Sequence, residues 1–292
     1  MFYLLLSIIC STCLLVVFKY IERCKLETLP VVVVNYFVCG VVGALNSETA
    51  ISFSELAARE WWFPAIALGM LFVSIFYTVA VSTQINGVAT TAVAFKLSVA
   101  IPVIAAFYLY GDRFAFLKIA GIVLALVAIF LTSRNGLNAK TTAKGFVSVL
   151  PFIVFFGSGA CDTAFNYIQQ TFLAENDYDA FLVVLFVTAG SAGLILLLLR
   201  SVIKRAVPGW KTVPAGILLG IPNYGSAYFM ILALERTGLE SSAVWPLNNI
   251  GIILLSTAVA ALLFREHVSR SGMAGVLLAV ISILLIGGSA LS

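Results

Sequence analysis

Apolar residues run through this chain in long blocks, separated by short polar or glycine-containing breaks. The blocks cover about 2–20, 28–45, 61–83, 87–110, 116–133, 145–172, 179–203, 209–235, 239–264 and 270–290. A helix of roughly 20 apolar residues crosses the hydrocarbon of a bilayer. Inside hydrocarbon every backbone N–H and C=O must be paired within the segment, which selects helices. The apolar/polar alternation of a barrel strand is missing. The pattern predicts an all-α integral membrane protein with ten transmembrane helices.

Connections are short. Ile85 to Gly87 and Thr237 to Gly238 leave room for little more than a turn, so the third and fourth helices, and the eighth and ninth, form tight antiparallel hairpins. The longest polar stretches, Asn46 to Glu60 and Arg200 to Lys211, read as loops or interfacial turns. Trp61, Trp62 and Trp210 stand at helix starts, where indole rings commonly meet the headgroups. A polar linker from Ser133 to Lys144 divides the chain near its middle.

Composition agrees with this reading. Of 292 residues, 62% are hydrophobic and 10% charged, against about 25% charged in ordinary soluble domains. Thirty charged side chains cannot coat a soluble protein of this size. That excludes a soluble enzyme, a disordered chain and a disulfide scaffold. The net charge of +4 resides in short loops, so no nucleic-acid partner is expected; the lipid bilayer is. Cys10, Cys13, Cys24, Cys39 and Cys161 lie mostly in apolar runs, and no second pair or nearby His completes a metal site around Cys10-x-x-Cys13. The amino terminus has no basic region or cleavage site and reads as the first span. Lys and Arg set the orientation. One side holds Arg59, Arg113, Lys118 and Arg236; apart from Lys96, the rest of the 17 fall on the other. The richer side is expected in the cytoplasm, with both termini outside.

The two halves resemble each other. Phe18-Lys-Tyr20-Ile21-Glu22 aligns with Phe165-Asn-Tyr167-Ile168-Gln169 at an offset of 147. Tyr77, Gly87, Ala92 and Val93 recur as Tyr228, Gly238, Ala243 and Val244 at 151, with Thr90-Thr91 meeting Ser241-Ser242. Ala120-Gly121-x-x-Leu124-Ala125-x-x-x-Ile129-x-Leu131 recurs as Ala274-Gly275-x-x-Leu278-Ala279-x-x-x-Ile283-x-Leu285 at 154. Apolar helices match cheaply, but three segments in one order at a nearly constant offset favour duplication over coincidence. Residues 1–140 and 141–292 then form two five-helix repeats. Five is odd, so the second enters the membrane inverted. Inverted repeats place a substrate site near the midplane, which rocking exposes to each side in turn.

On these stretches, with Pro102, Gly111-Asp112-Arg113 and Phe264-Arg265-Glu266, the chain resembles the drug/metabolite transporter superfamily in its bacterial EamA-like, ten-helix branch. The family often shows Gly-Glu-Arg where this chain has Gly-Asp-Arg and Phe-Arg-Glu. The resemblance implies export or exchange of a small polar or amphipathic metabolite, such as an amino acid, across a bacterial inner membrane.

Ionisable side chains at mid-membrane cost roughly 2.5–3.5 kcal/mol on insertion scales and so mark candidate sites. Lys96 lies near the middle of the fourth helix and Asp162 near the middle of the sixth. Lys96 would bind a carboxylate or phosphate of the substrate; Asp162 would bind an amine or carry a coupling proton. The alternative is that the two pair as a structural lock. Asp162, Asn166 and Gln169 share one helix face. Asn35, Asn223, Asn249, Tyr77, Tyr228 and Trp245 complete the candidate substrate-binding set, the asparagines weighed against helix-to-helix bonding, the tyrosines against packing and Trp245 against a lipid-facing aromatic. Pro102, Pro151, Pro222 and Pro246 are expected to kink helices. His267 reads as a loop residue, and Walker A, H-E-x-x-H and G-x-S-x-G are missing from the sequence, so neither an enzyme nor a cofactor is expected. The competing classes are a lipid-modifying membrane enzyme and a non-transporting assembly or sensor subunit.

Overall fold

The computed structural model describes residues 1–46, 53–110, 116–133, 144–174, 177–204, 209–236, 241–266 and 268–288. These form α1 (Phe2–Arg23), α2 (Thr28–Asn46), α3 (Phe53–Ala57), α4 (Trp62–Asn86), α5 (Val88–Leu97) and α6 (Ala100–Tyr110). They continue as α7 (Phe116–Ser133), α8 (Lys144–Phe172), α9 (Tyr178–Lys204), α10 (Thr212–Arg236), α11 (Ser241–Leu263) and α12 (Arg270–Gly288). No strand occurs among the described residues. Among the described residues, eight segments are long and apolar enough to cross a membrane: α1, α2, α4, the α5–α6 run, α8, α9, α10 and α11. The apolar stretches within α7 and α12 are shorter. The chain is thus an all-α protein with the helices of a membrane protein.

Most elements follow the apolar blocks, with three differences. The stretch read as a loop between 46 and 60 contains the short α3. Trp61 does not open outward. It is 1% exposed, packed edge-on against Phe181 with ring centroids 5.9 Å apart. The run read as one helix over 87–110 is two, and Pro102 explains the break. Having no N–H, Pro102 cannot serve the Ser98 carbonyl four residues back. Ile101 donates to that carbonyl instead, at 2.9 Å. Pro151, Pro222 and Pro246 stay inside continuous helices. The tight α4–α5 hairpin is present, turning on Gly87 with φ +92°. Its expected counterpart at Thr237–Gly238, the linker from 134 to 143, Asp112, Arg113 and His267 lie outside the described residues.

The chain divides into two compact units, each drawing on both halves of the sequence. The first contains Met1–Lys19, Thr78–Asp162 and Gly225–Ser292. Within it α7 packs along α12, and α5 along α11. A Cβ on Gly121 would lie 2.7 Å from Ile286 Cγ1 and 3.1 Å from the Ser282 carbonyl. A Cβ on Gly275 would lie 2.7 Å from Thr132 Cγ2 and 2.9 Å from the Ala128 carbonyl. The early part of each helix meets the late part of the other, so α7 and α12 run antiparallel. The Ser282 hydroxyl donates to the Gly121 carbonyl at 2.7 Å. Leu4 and Ile8 of α1 pack with Met230 and Ala233 of α10 and with Val244 and Ile252 of α11 in a buried apolar cluster.

The second unit contains Tyr20–Tyr77 and Thr163–Tyr224. Here α2 packs along α9. Gly43 faces Val183, Gly40 faces Val187, Gly190 faces Phe37 and Gly193 faces Val33, so this pair is also antiparallel. Tyr36 is buried between Phe76 and Phe186 and donates its hydroxyl to the Phe72 carbonyl at 3.1 Å. That bond is the partner a buried phenol needs.

Candidate functional site

In the first unit the α5–α6 break sets the candidate site. Ile101's amide is spent on the Ser98 carbonyl, so the fully buried Leu97 lacks the donor a continuous helix would supply. Ser98 is turned so that its hydroxyl lies 2.6 Å from the Phe95 carbonyl and 3.4 Å from Asp162 Oδ2 of α8. A hydroxyl has one proton. The short bond to Phe95 takes it, which leaves the Asp162 contact weak. Gly159, one turn earlier on α8, admits the Ile101 side chain of α6 into the space a Cβ would fill. Ser158, one turn before Asp162, is buried with its Oγ unpartnered.

Lys96 is half-buried, its ammonium 4.5 Å from the centroid of the Phe95 ring. Asp162 lies at the surface of the isolated chain. The two charges lie within electrostatic reach of each other. Among the described residues, however, no ion pair joins them directly. The chain therefore holds an ammonium and a carboxylate near one another at a helix break, neither neutralised by contact. Chemically that arrangement can receive an anion, a cation or proton, or a molecule carrying both.

The remaining candidates distribute as follows. Tyr228 and Trp245 are exposed, and Asn249 is buried, all in the first unit. Next to Asn249, Asn248 is buried with Oδ1 unpartnered. Tyr77 is half-buried and Asn166 exposed, both in the second unit. Also in that unit, Asn223 donates from Nδ2 to Asn35 Oδ1 at 3.1 Å. Asn35 is fully buried and its own Nδ2 has no partner. This is a bond between helices of the kind the polar residues were weighed against. Gln169, on the Asn166 side of α8, donates to the Tyr178 hydroxyl at 3.1 Å.

Sequence reasoning missed Ser98 and Ser158. Pro102 pointed at the Ser98 carbonyl, but nothing local announces that α8 meets the break. Among the described residues no group of three or more His, Cys, Asp and Glu side chains is placed to hold a metal.

No family model matches the chain. It is 26% identical over 285 residues to an uncharacterized protein of Haemophilus influenzae, covering 96% of this chain and 95% of that one. A solved crystal structure resembles it along the whole chain, with a TM-score of 0.63, 14% identity and 98% of that chain covered. At that identity the likeness concerns fold alone.

Proposed function

We propose that the protein is a secondary transporter of the EamA-like branch of the drug/metabolite transporter superfamily. It moves a small polar or amphipathic metabolite, such as an amino acid, by alternating access in a bacterial inner membrane, as an exporter or exchanger. The observation that carries this reading is the pair of opposite charges, Lys96 and Asp162, left without direct ionic partners beside a broken helix. Discontinuous helices with polar groups at mid-depth are how many secondary transporters build substrate and ion sites. An unpartnered charge is costly to keep, so a ligand that neutralises it gains binding energy where the apo protein has an unmet demand. Lys96 takes the anionic part of the substrate, and Asp162 takes an amine or the coupling proton.

Two facts support the inverted five-helix repeats over 1–140 and 141–292, and with them the count of ten spans. The helices that pack together, α7 with α12 and α2 with α9, are those the sequence offsets of 154 and 147 equate. Both pairs run antiparallel, as a copy and its inverted partner must when a two-fold axis crosses them. A thermal-shift screen of amino acids, other organic acids and amines on purified protein tests for a cargo, because a ligand stabilises by mass action. Uptake or counterflow of the hit in proteoliposomes then tests transport. Binding without movement across the membrane would reject the transporter and leave a sensor.

A further inference from the structure

Glu266 stands outside the candidate site and is tied to three separate pieces of the first unit. Its position is set by the end of α11. Arg265 adopts φ +54°, and the Glu266 amide reaches back to the Ala260 carbonyl at 3.0 Å. The bond closes a seven-residue turn, one residue wider than a Schellman cap, around an arginine in the left-handed region where glycine is usual. The cap aims the carboxylate at the start of α5. Both oxygens accept from the Val88 amide, at 3.2 and 3.1 Å. A helix N-terminus presents free amides and a partial positive charge, so a carboxylate there is well placed. Gly87 makes the approach possible: a Cβ at that position would sit 2.7 Å from Glu266 Oε2.

Lys19 of α1 completes the cluster. Its ammonium is 3.9 Å from Glu266 Oε1 and donates to the Gln84 carbonyl at 2.9 Å. Gln84 returns a longer contact, Nε2 to the Phe18 carbonyl at 3.4 Å. Between Gln84 and Gly87, Asn86 is 7% exposed, yet its Nδ2 and Oδ1 both lack partners. A buried amide with neither end satisfied raises the energy of the closed arrangement by about 1–3 kcal/mol per group. The carboxylate contacts hold that arrangement together against this cost. Opening would let water reach Asn86. A closed state that combines strong charged contacts with an unmet polar demand is poised between two conformations.

We propose that Glu266 is a latch: seated on the α5 N-terminus beside Lys19, its carboxylate holds the α4–α5 turn shut against the α11–α12 connection, and its release opens that end of the first unit. In the transporter reading this is the closed state at the basic, cytoplasmic end, so the latch adds a gate to that reading. Asn166 is the sequence counterpart of Lys19 in the second half. A latch with this cation therefore belongs to one end of the repeat only.

The test is labelling of Asn86→Cys by a membrane-impermeant maleimide in vesicles, read peptide by peptide by mass spectrometry. With Glu266 intact the cysteine reacts slowly. In Glu266→Ala it reacts at least ~10-fold faster, the change that losing one charge-assisted hydrogen bond makes in an opening equilibrium. Glu266→Gln falls between, since it still accepts from Val88 but no longer attracts Lys19. The buried native Cys39 and Cys161 remain unlabelled. Equal rates with and without Glu266 would overturn the latch. So would labelling of Cys39 and Cys161 together with position 86, because that reports global loosening. Gln84→Cys serves as the reporter if Asn86→Cys does not fold. The readout needs no cargo, so the latch and the transporter reading fail separately.

Discussion

Gly121 and Gly275 make the same contact from opposite sides of one helix pair. Gly121 of α7 lies against Ser282 and Ile286 of α12, and Gly275 of α12 lies against Ala128 and Thr132 of α7. An offset of 154 converts each set of residues into the other. Reciprocal contact of this kind is what the proposed two-fold relation between the halves would produce. Close approach matters more in lipid than in water, because packing rather than hydrophobic transfer drives helix association there.

The reciprocity predicts that the two glycines are equally intolerant of a side chain. In Gly121→Ala and Gly275→Ala the added Cβ meets a backbone carbonyl that cannot turn aside. Each should lower stability by about 1–3 kcal/mol, the usual cost of overpacking, measured as a fall in melting temperature in detergent. Gly209→Ala is the control, since nothing lies within 4 Å of a Cβ there. A glycine at 121 or 275 that tolerates alanine as well as position 209 does would contradict the packing.

Asn35 and Asn223 should couple to each other in the second unit. Interhelical hydrogen bonds in membrane proteins average about 0.6 kcal/mol in double-mutant cycles. The pair here is expected at or above that value, because Asn35 is fully buried. Melting of Asn35→Ala, Asn223→Ala and the double variant measures it. Additive losses would show that the two amides act independently.

Orientation has a native reporter. Cys24 is the exposed cysteine of the set, following α1 and next to the basic Arg23 and Lys25. If the basic side is cytoplasmic, an impermeant maleimide labels Cys24 in inside-out vesicles and leaves it untouched in intact cells. The reverse pattern would invert the topology.

The helices were legible because apolar runs of spanning length leave the backbone no other way to satisfy itself. Relations between distant segments were not. Pro102 marks a disturbed helix, but the break becomes a candidate site only where α8 brings Asp162 to Ser98. Trp61 reads locally as an interfacial indole, yet Phe181 from far along the chain buries it. For Asn35 and Asn223 the sequence leaves ligand binding and helix-to-helix bonding open, and only the packing of α2 and α10 shows that they bond to each other. Gly87 and Glu266 were visible as motif residues, and their mutual fit was not, since it depends on a φ of +92° and a cap 178 residues away.

The paired measurement of melting and transport in Lys96→Ala and Asp162→Asn tests the central claim most directly. If the two charges wait for a ligand, both variants melt close to the parent temperature, because no direct ion pair is broken, while transport of the cargo falls by at least ~10-fold through lost charged contacts to it. A structural lock gives the opposite: each charge then depends on the other, so melting would drop in each variant. Lowered melting with transport retained by the folded fraction would contradict the account.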